Sequence, residues 1–170
     1  MIFFRFLIIV SILLSCNNSE ISLTKLNSGP KTFDNSKLEL KEYTFDNKNN
    51  YSFDFEVSDF SLGKQTRNDF NFDIANSTKG QHIHLIVNNG PYFAKYSSSF
   101  KQQLQYKNNT ILAFLSRSHH ESVKSEKAYS LIQTGNEKFD SNTKLLFYSR
   151  PKGEYIGSIS EKILLDFYLV

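Results

Sequence analysis

Hydrophobic and polar residues alternate with a period of two along most of the chain after residue 36. Tyr51, Phe53, Phe55 and Val57 are separated by polar residues, and this alternation is typical of a strand with one buried face. The pattern predicts strands at 38–45, 51–57, 70–74, 82–87, 92–96, 104–106, 111–116, 129–133, 144–150 and 162–170. Segments with helical periodicity are nearly absent, and only 99–105 and 122–128 are expected to hold a short helical turn.

Asparagine-rich links between these strands predict hairpins. They lie at 47–50, 88–91 and 107–109, and Asn and Gly are residues that adopt the positive φ of tight turns. Many short strands joined in this way favour an all-β fold. We therefore expect residues 36–170 to form one antiparallel β-sandwich, immunoglobulin-like or cupredoxin-like.

The first 15 residues form a separate apolar segment with Arg5 as its only charged side chain. It is shorter than the roughly 20 apolar residues that cross a bilayer, and it resembles a secretory signal peptide. Its end, Leu13-Leu14-Ser15-Cys16, resembles the lipobox of bacterial lipoproteins, in which the cysteine is acylated. We expect lipidation (palmitate among the acyl chains) at Cys16 and a polar tether over 16–35.

Composition narrows the function classes. The net charge is +3, and the chain has one cysteine, no tryptophan and 15% aromatic residues. A charge this balanced argues against a nucleic-acid partner, and a single cysteine excludes an intrachain disulfide. The G-x-S-x-G motif of a serine nucleophile is absent. Asp54 and Glu56 could form a catalytic carboxylate pair, but they alternate with phenylalanines, as on the solvent-exposed face of a strand. We therefore predict that the protein is not an enzyme, and an envelope hydrolase with a histidine-centred site is the last alternative.

The four histidines occur as two pairs, and this pairing suggests a metal site. His82 and His84 are two apart in a predicted strand, so both side chains point to the same face, while His119 and His120 follow a later strand and precede Glu121. Imidazoles suit copper or zinc. Adjacent residues of an extended chain point in opposite directions, so one of the second pair is expected to join, with His119 slightly favoured. Inert strand histidines remain the alternative.

A second candidate site is basic. Arg117, Arg150 and Lys152 lie near the predicted ends of strands, and Arg150-Pro151-Lys152-Gly153 forms a turn. A guanidinium suits carboxylate or phosphate, so this corner could bind an anionic partner. The alternative is that these charges are solvated or pair with nearby glutamates.

Three stretches support a family resemblance. They are residues 80–92, residues 113–122, and residues 146–153 together with 164–170. They resemble uncharacterised lipoproteins of Bacteroidetes, especially flavobacteria, some of which are labelled phosphopeptide-binding. The resemblance implies a cell-envelope protein, anchored by lipid to the outer membrane of a Gram-negative bacterium. Because that group continues into a second β-rich segment, it also implies that this chain is a truncated or shorter form.

Two functions follow from these features. The first is a lipid-anchored envelope binding module that coordinates copper or zinc through His82, His84 and His119 or His120, with Glu121 as an oxygen ligand. The second is a metal-free structural or protein-interaction domain that holds an envelope protein at the basic corner.

Overall fold

The computed structural model describes residues 33–46, 48–67, 74–136, 142–160 and 163–170. The expected signal peptide, Cys16 and the tether up to residue 32 therefore lie outside the described residues, as does nearly all of the strand expected at 70–74. Within the described ranges no helix is long and apolar enough to cross a membrane.

Nine strands are described, and all their pairings are antiparallel. They are β1 (Lys37–Phe45), β2 (Asn50–Ser58), β3 (His82–Val87), β4 (Tyr92–Lys95), β5 (Ser99–Gln103), β6 (Asn109–Ser116), β7 (Tyr129–Thr134), β8 (Leu146–Arg150) and β9 (Asp166–Leu169). The sheet orders are β1-β2-β5, β4-β3-β6-β7 and β8-β9. The all-β antiparallel sandwich expected from the sequence is confirmed.

The main core lies between the three-stranded and the four-stranded sheets. Tyr51, Phe53 and Phe55 project from β2 at 4% exposure or less, and aliphatic side chains from β3 and β6 face them. The rings of Phe53 and Phe55 lie 6.3 Å apart and contribute offset contacts as well as buried area. Phenylalanine and tyrosine thus fill the space that a tryptophan occupies in many sandwiches.

A second core lies on the opposite face of the four-stranded sheet. Ile86, Leu112 and Phe114 pack there against Phe147 of β8 and Tyr168 of β9. The β8-β9 pair therefore forms a third layer, and the four-stranded sheet is buried on both faces. Because side chains alternate along β3, the even-numbered positions, which include both of its histidines, face β8 and β9 instead of solvent.

Several local expectations were wrong. Residues 99–103 form β5, and 122–128 contains no helix but a single hydrogen-bonded turn, in which the Ala128 amide donates to the Ser125 carbonyl at 3.0 Å. The 107–109 link does not close a hairpin, because β5 pairs with β2 while β6 pairs with β3 and β7. The Phe33 ring, three residues before the expected start of the domain, packs 5.0 Å from the Phe60 ring.

Candidate metal and anion site

His82 and His84 lie side by side on β3, between the four-stranded sheet and the β8-β9 layer. Both are fully buried, and their Nε2 atoms are 2.8 Å apart. The other nitrogen of each ring is also bonded: Nδ1 of His82 lies 2.8 Å from the Gly80 carbonyl, and Nδ1 of His84 lies 3.2 Å from Ser149 Oγ. The two rings are held in one orientation by these contacts.

The Gly80 carbonyl determines where the protons lie. A carbonyl only accepts, so Nδ1 of His82 carries the hydrogen and its Nε2 presents a lone pair. In the neutral pair, Nε2–H of His84 then donates to His82, and the Ser149 hydroxyl donates to Nδ1 of His84. If a metal ion bound both Nε2 atoms, the proton on Nε2 of His84 would move to Nδ1 of the same ring, and Nδ1–H would then donate to the Ser149 hydroxyl.

His120 completes the cluster. The candidate ligand nitrogens of His82, His84 and His120 all lie within 4.8 Å of one another. Three nitrogens bound to one Zn²⁺ at about 2.0–2.1 Å are roughly 3.3 Å apart, so closure needs only a small shift. His120 is half-buried on a turn, so it is the member best placed to move.

The preference for His119 over His120 is not supported by the geometry. His120 has a φ of +70°, and its amide donates to the Arg117 carbonyl at 2.9 Å. This turn ends the strand alternation and directs His120 toward β3. His119 is buried elsewhere, with Nε2 at 2.9 Å from Oε2 of Glu121. Glu121 therefore pairs with His119 and is not among the clustered ligands.

The electrostatic surroundings keep the three histidines neutral. Burial lowers the pKa of His84 well below its usual value, and repulsion from any proton on His82 or His120 and from the cations Arg150 and Lys152 lowers it further. Burial likewise lowers the pKa of His82, with a further contribution from Arg150. Burial, followed by the charge of Arg150, lowers the pKa of His120 to about 3. Neutral imidazole is the form that binds a metal ion.

Tyr92 joins the histidines to the basic corner. Its ring stacks on His84 with centroids 3.7 Å apart and an angle of 9°. The Arg150 guanidinium donates to its hydroxyl at 2.6 Å, and Lys152 Nζ lies 4.3 Å from its ring centroid. The metal candidate and the anion candidate, which are far apart in sequence, therefore form one site. Burial and the charge of Arg150 lower the pKa of Lys152 to about 8.

Arg117 belongs to a different environment from Arg150 and Lys152. It is 6% exposed, donates from Nη1 to the Ser122 carbonyl at 3.1 Å, and lies 5.2 Å from the Phe33 ring centroid. Oε1 of Glu121 is 3.7 Å from the same nitrogen. These contacts hold the turn that carries His120, so Arg117 has a structural position in place of the expected anion contact.

Two site residues, Tyr92 and Ser149, were not singled out from the sequence. Tyr92 could have been found, because in the β3-β4 hairpin it pairs with Ile86 while His84 pairs with Ala94. Positions 84, 86, 92 and 94 therefore share a face. Ser149 gave no such signal, since its approach to His84 depends on how β8 and β9 pack on the four-stranded sheet.

No protein-family model, curated protein or solved structure matches this chain. The histidine cluster and its basic neighbours are therefore the features from which a function can be inferred.

Proposed function

We propose that this protein is an envelope binding module that coordinates one Cu²⁺ or Zn²⁺ ion through His82, His84 and His120. The observation that carries the proposal is the pair of Nε2 atoms 2.8 Å apart, one of which presents a lone pair because its ring is bonded to Gly80. Three imidazoles without a thiolate suit either metal. Three protein ligands also leave a coordination position open to a further ligand.

The metal test compares histidines inside and outside the cluster. The full chain is loaded with Zn²⁺ or Cu²⁺, loose ions are removed, and metal per chain is measured for the wild type, His82→Gln, His84→Gln and His119→Gln. We expect about one ion per chain in the wild type and in His119→Gln. The two cluster variants should lose more than the roughly 10–100-fold in affinity that removal of a supporting residue costs.

Circular dichroism and thermal unfolding of each variant separate lost binding from lost folding. His120→Gln is added as a third cluster variant, because its side chain is only half-buried and its loss disturbs packing least. A folded wild type that retains no metal would refute the proposal. Equal retention by His120→Gln and His119→Gln would do the same.

A metal-free function is the second candidate. Arg150 and Lys152 both lie on Tyr92, and this pair of cations supports an interaction domain that holds an anionic envelope partner. Metal-independent binding of a partner, lost on charge removal at Arg150 and unaffected in His82→Gln, would favour this candidate.

The proposed location is the outer membrane of a Gram-negative bacterium, with the domain anchored through acyl chains on Cys16. It is supported by the apolar run of residues 1–15 and by the Leu13-Leu14-Ser15-Cys16 sequence. In bacteria fed labelled palmitate, the wild-type chain should incorporate label and fractionate with membranes, while Cys16→Ser should not. Equal labelling of both chains would contradict lipidation at this cysteine.

A further inference from the structure

The charge around the histidine cluster is unusual for a metal site. Arg150 and Lys152 both approach the Tyr92 ring that stacks on His84. No carboxylate among the described residues hydrogen-bonds to His82 or His84, whose bonded partners are each other, Gly80 and Ser149. The one described histidine–carboxylate pair, His119 with Glu121, lies outside the cluster. A divalent cation bound here would therefore add its charge to a site that is already positive.

The basic side chains also have unused hydrogen-bonding capacity. Nζ of Lys152 and Nε of Arg150 are both buried, and neither has a hydrogen-bond partner among the described residues. A buried ammonium without an acceptor is costly, and the Tyr92 ring offers only its π face. An acceptor that arrives with a ligand would satisfy these donors.

We propose that the metal binds together with a small oxyanion, a carboxylate or a phosphate, which occupies the coordination position left by the three histidines and accepts hydrogen bonds from Arg150 and Lys152. This inference rests on the metal site proposed above. The anion supplies the negative charge that the protein ligands lack, because all three are neutral imidazoles. Arginine and lysine are the residues that bind phosphate and carboxylate oxygens.

The proposal predicts positive coupling between metal binding and anion binding, and this coupling can be measured. Affinity of the metal for the protein should rise when the anion is present, and affinity of the anion should rise equally when the metal is present, because linkage is reciprocal. Removal of the positive charge of Arg150 or Lys152 should act differently with and without the anion. Without the anion, it removes repulsion of the metal ion, so metal affinity should be equal or higher. With the anion, it removes the donors that hold the anion, so the rise in metal affinity should be lost.

The experiment measures Zn²⁺ affinity of the full chain with free metal buffered by a competing chelator, with and without inorganic phosphate or acetate. We expect the wild type to bind Zn²⁺ at least about tenfold more tightly with a saturating anion, which is a coupling of about 1.4 kcal/mol. Lys152→Gln and Arg150→Gln should each reduce this factor to near one, because each removes a donor to the anion. Phosphate against acetate distinguishes the two oxyanion classes.

Lys95→Gln is the matched control. Lys95 is also a half-buried lysine above an aromatic ring, 4.9 Å from the Phe100 centroid. It pairs with Ile83 on β3 and so lies on the opposite face of the sheet from His84. Its substitution should leave the anion effect intact.

The outcomes separate the two proposals. If no Zn²⁺ binds under any condition, the metal site itself is refuted. If Zn²⁺ binds to the histidines with the same affinity at every anion concentration, the metal site stands and the co-ligand inference is overturned. Phosphate binding of equal strength with and without metal would also overturn the coupling, and would support the metal-free candidate.

Discussion

His84 is fixed by contacts on every side of its ring. Tyr92 stacks on one face, Phe114 approaches at 5.1 Å in a T-shaped arrangement, and the two ring nitrogens meet His82 and Ser149. In the proposed metal site, such support would position His84 before the metal ion binds and would lower the entropy cost of binding. The same contacts make His84 a poor site for a substitution intended to change binding alone, whereas His120 has fewer constraints.

Gly80 is a second residue on which the site depends. Its φ is +82°, and a Cβ there would lie 2.5 Å from the backbone oxygen of Gly63. The Gly80 carbonyl accepts from His82, so a shift of this backbone also shifts the His82 ring. The position therefore requires glycine both for its conformation and for its close approach to the 61–64 segment.

Gly80→Ala should cost about 3 kcal/mol or more of unfolding free energy, because backbone atoms must move apart. Gly157→Ala is the control: Gly157 also has a positive φ, but nothing lies within 4 Å of its Cβ position, so only the conformational cost of about 1–2 kcal/mol applies. Urea unfolding of both variants measures the difference. Equal losses in the two variants would show that the contact with Gly63 does not matter.

At the scale of elements, the β8-β9 pair is attached to the rest of the fold by side chains. Its Asp166 is 4% exposed and accepts from the Ser122 hydroxyl, and Tyr168 donates to the Val123 carbonyl. Asn89 of the β3-β4 turn bonds the backbone of Leu146 and Tyr148. These contacts bring Ser149, Arg150 and Lys152 to the histidines, although no described backbone ladder joins this pair of strands to another sheet.

The element scale also shows where the sequence was informative. The turn at 88–91 was predicted correctly because Asn88 and Asn89 both adopt positive φ, as hairpin turns require. The link at 107–109 has a similar composition but connects strands of different sheets. The residues of a turn indicate that the chain reverses direction there. Which strands then pair depends on which strand faces can be buried together.

At the scale of the whole molecule, two buried histidines and the half-buried His120 lie between layers that also contain Arg150 and Lys152. The pKa values of His82, His84 and His120 are all lowered in the folded protein. In the unfolded chain each returns to about 6.5. As the pH falls below that value the unfolded chain takes up protons first, so the folded state loses stability between about 6.5 and the folded pKa values.

Metal-free protein should therefore unfold at lower urea concentration at pH about 5 than at pH about 7. A single histidine that stays neutral when folded contributes up to about 1.4 kcal/mol per pH unit in this window, and the partly exposed His120 contributes less because solvent screens it. His84→Gln should flatten the dependence. A stability that is constant or rises as the pH falls from 7 to about 5 would contradict the proposed neutral cluster.

The sequence alone determined the β class, most strand positions and the shared face of His82 and His84, because these follow from a period of two between neighbours in the chain. Only the tertiary structure decided that β8 and β9 cover that face, that the turn after β6 directs His120 and not His119 to the pair, and that Arg150 and Lys152 meet the histidines at Tyr92. Those contacts join residues more than 30 positions apart in most cases, and their geometry is set by how whole layers pack. The hydrophobic pattern of neighbouring residues does not determine how the layers pack.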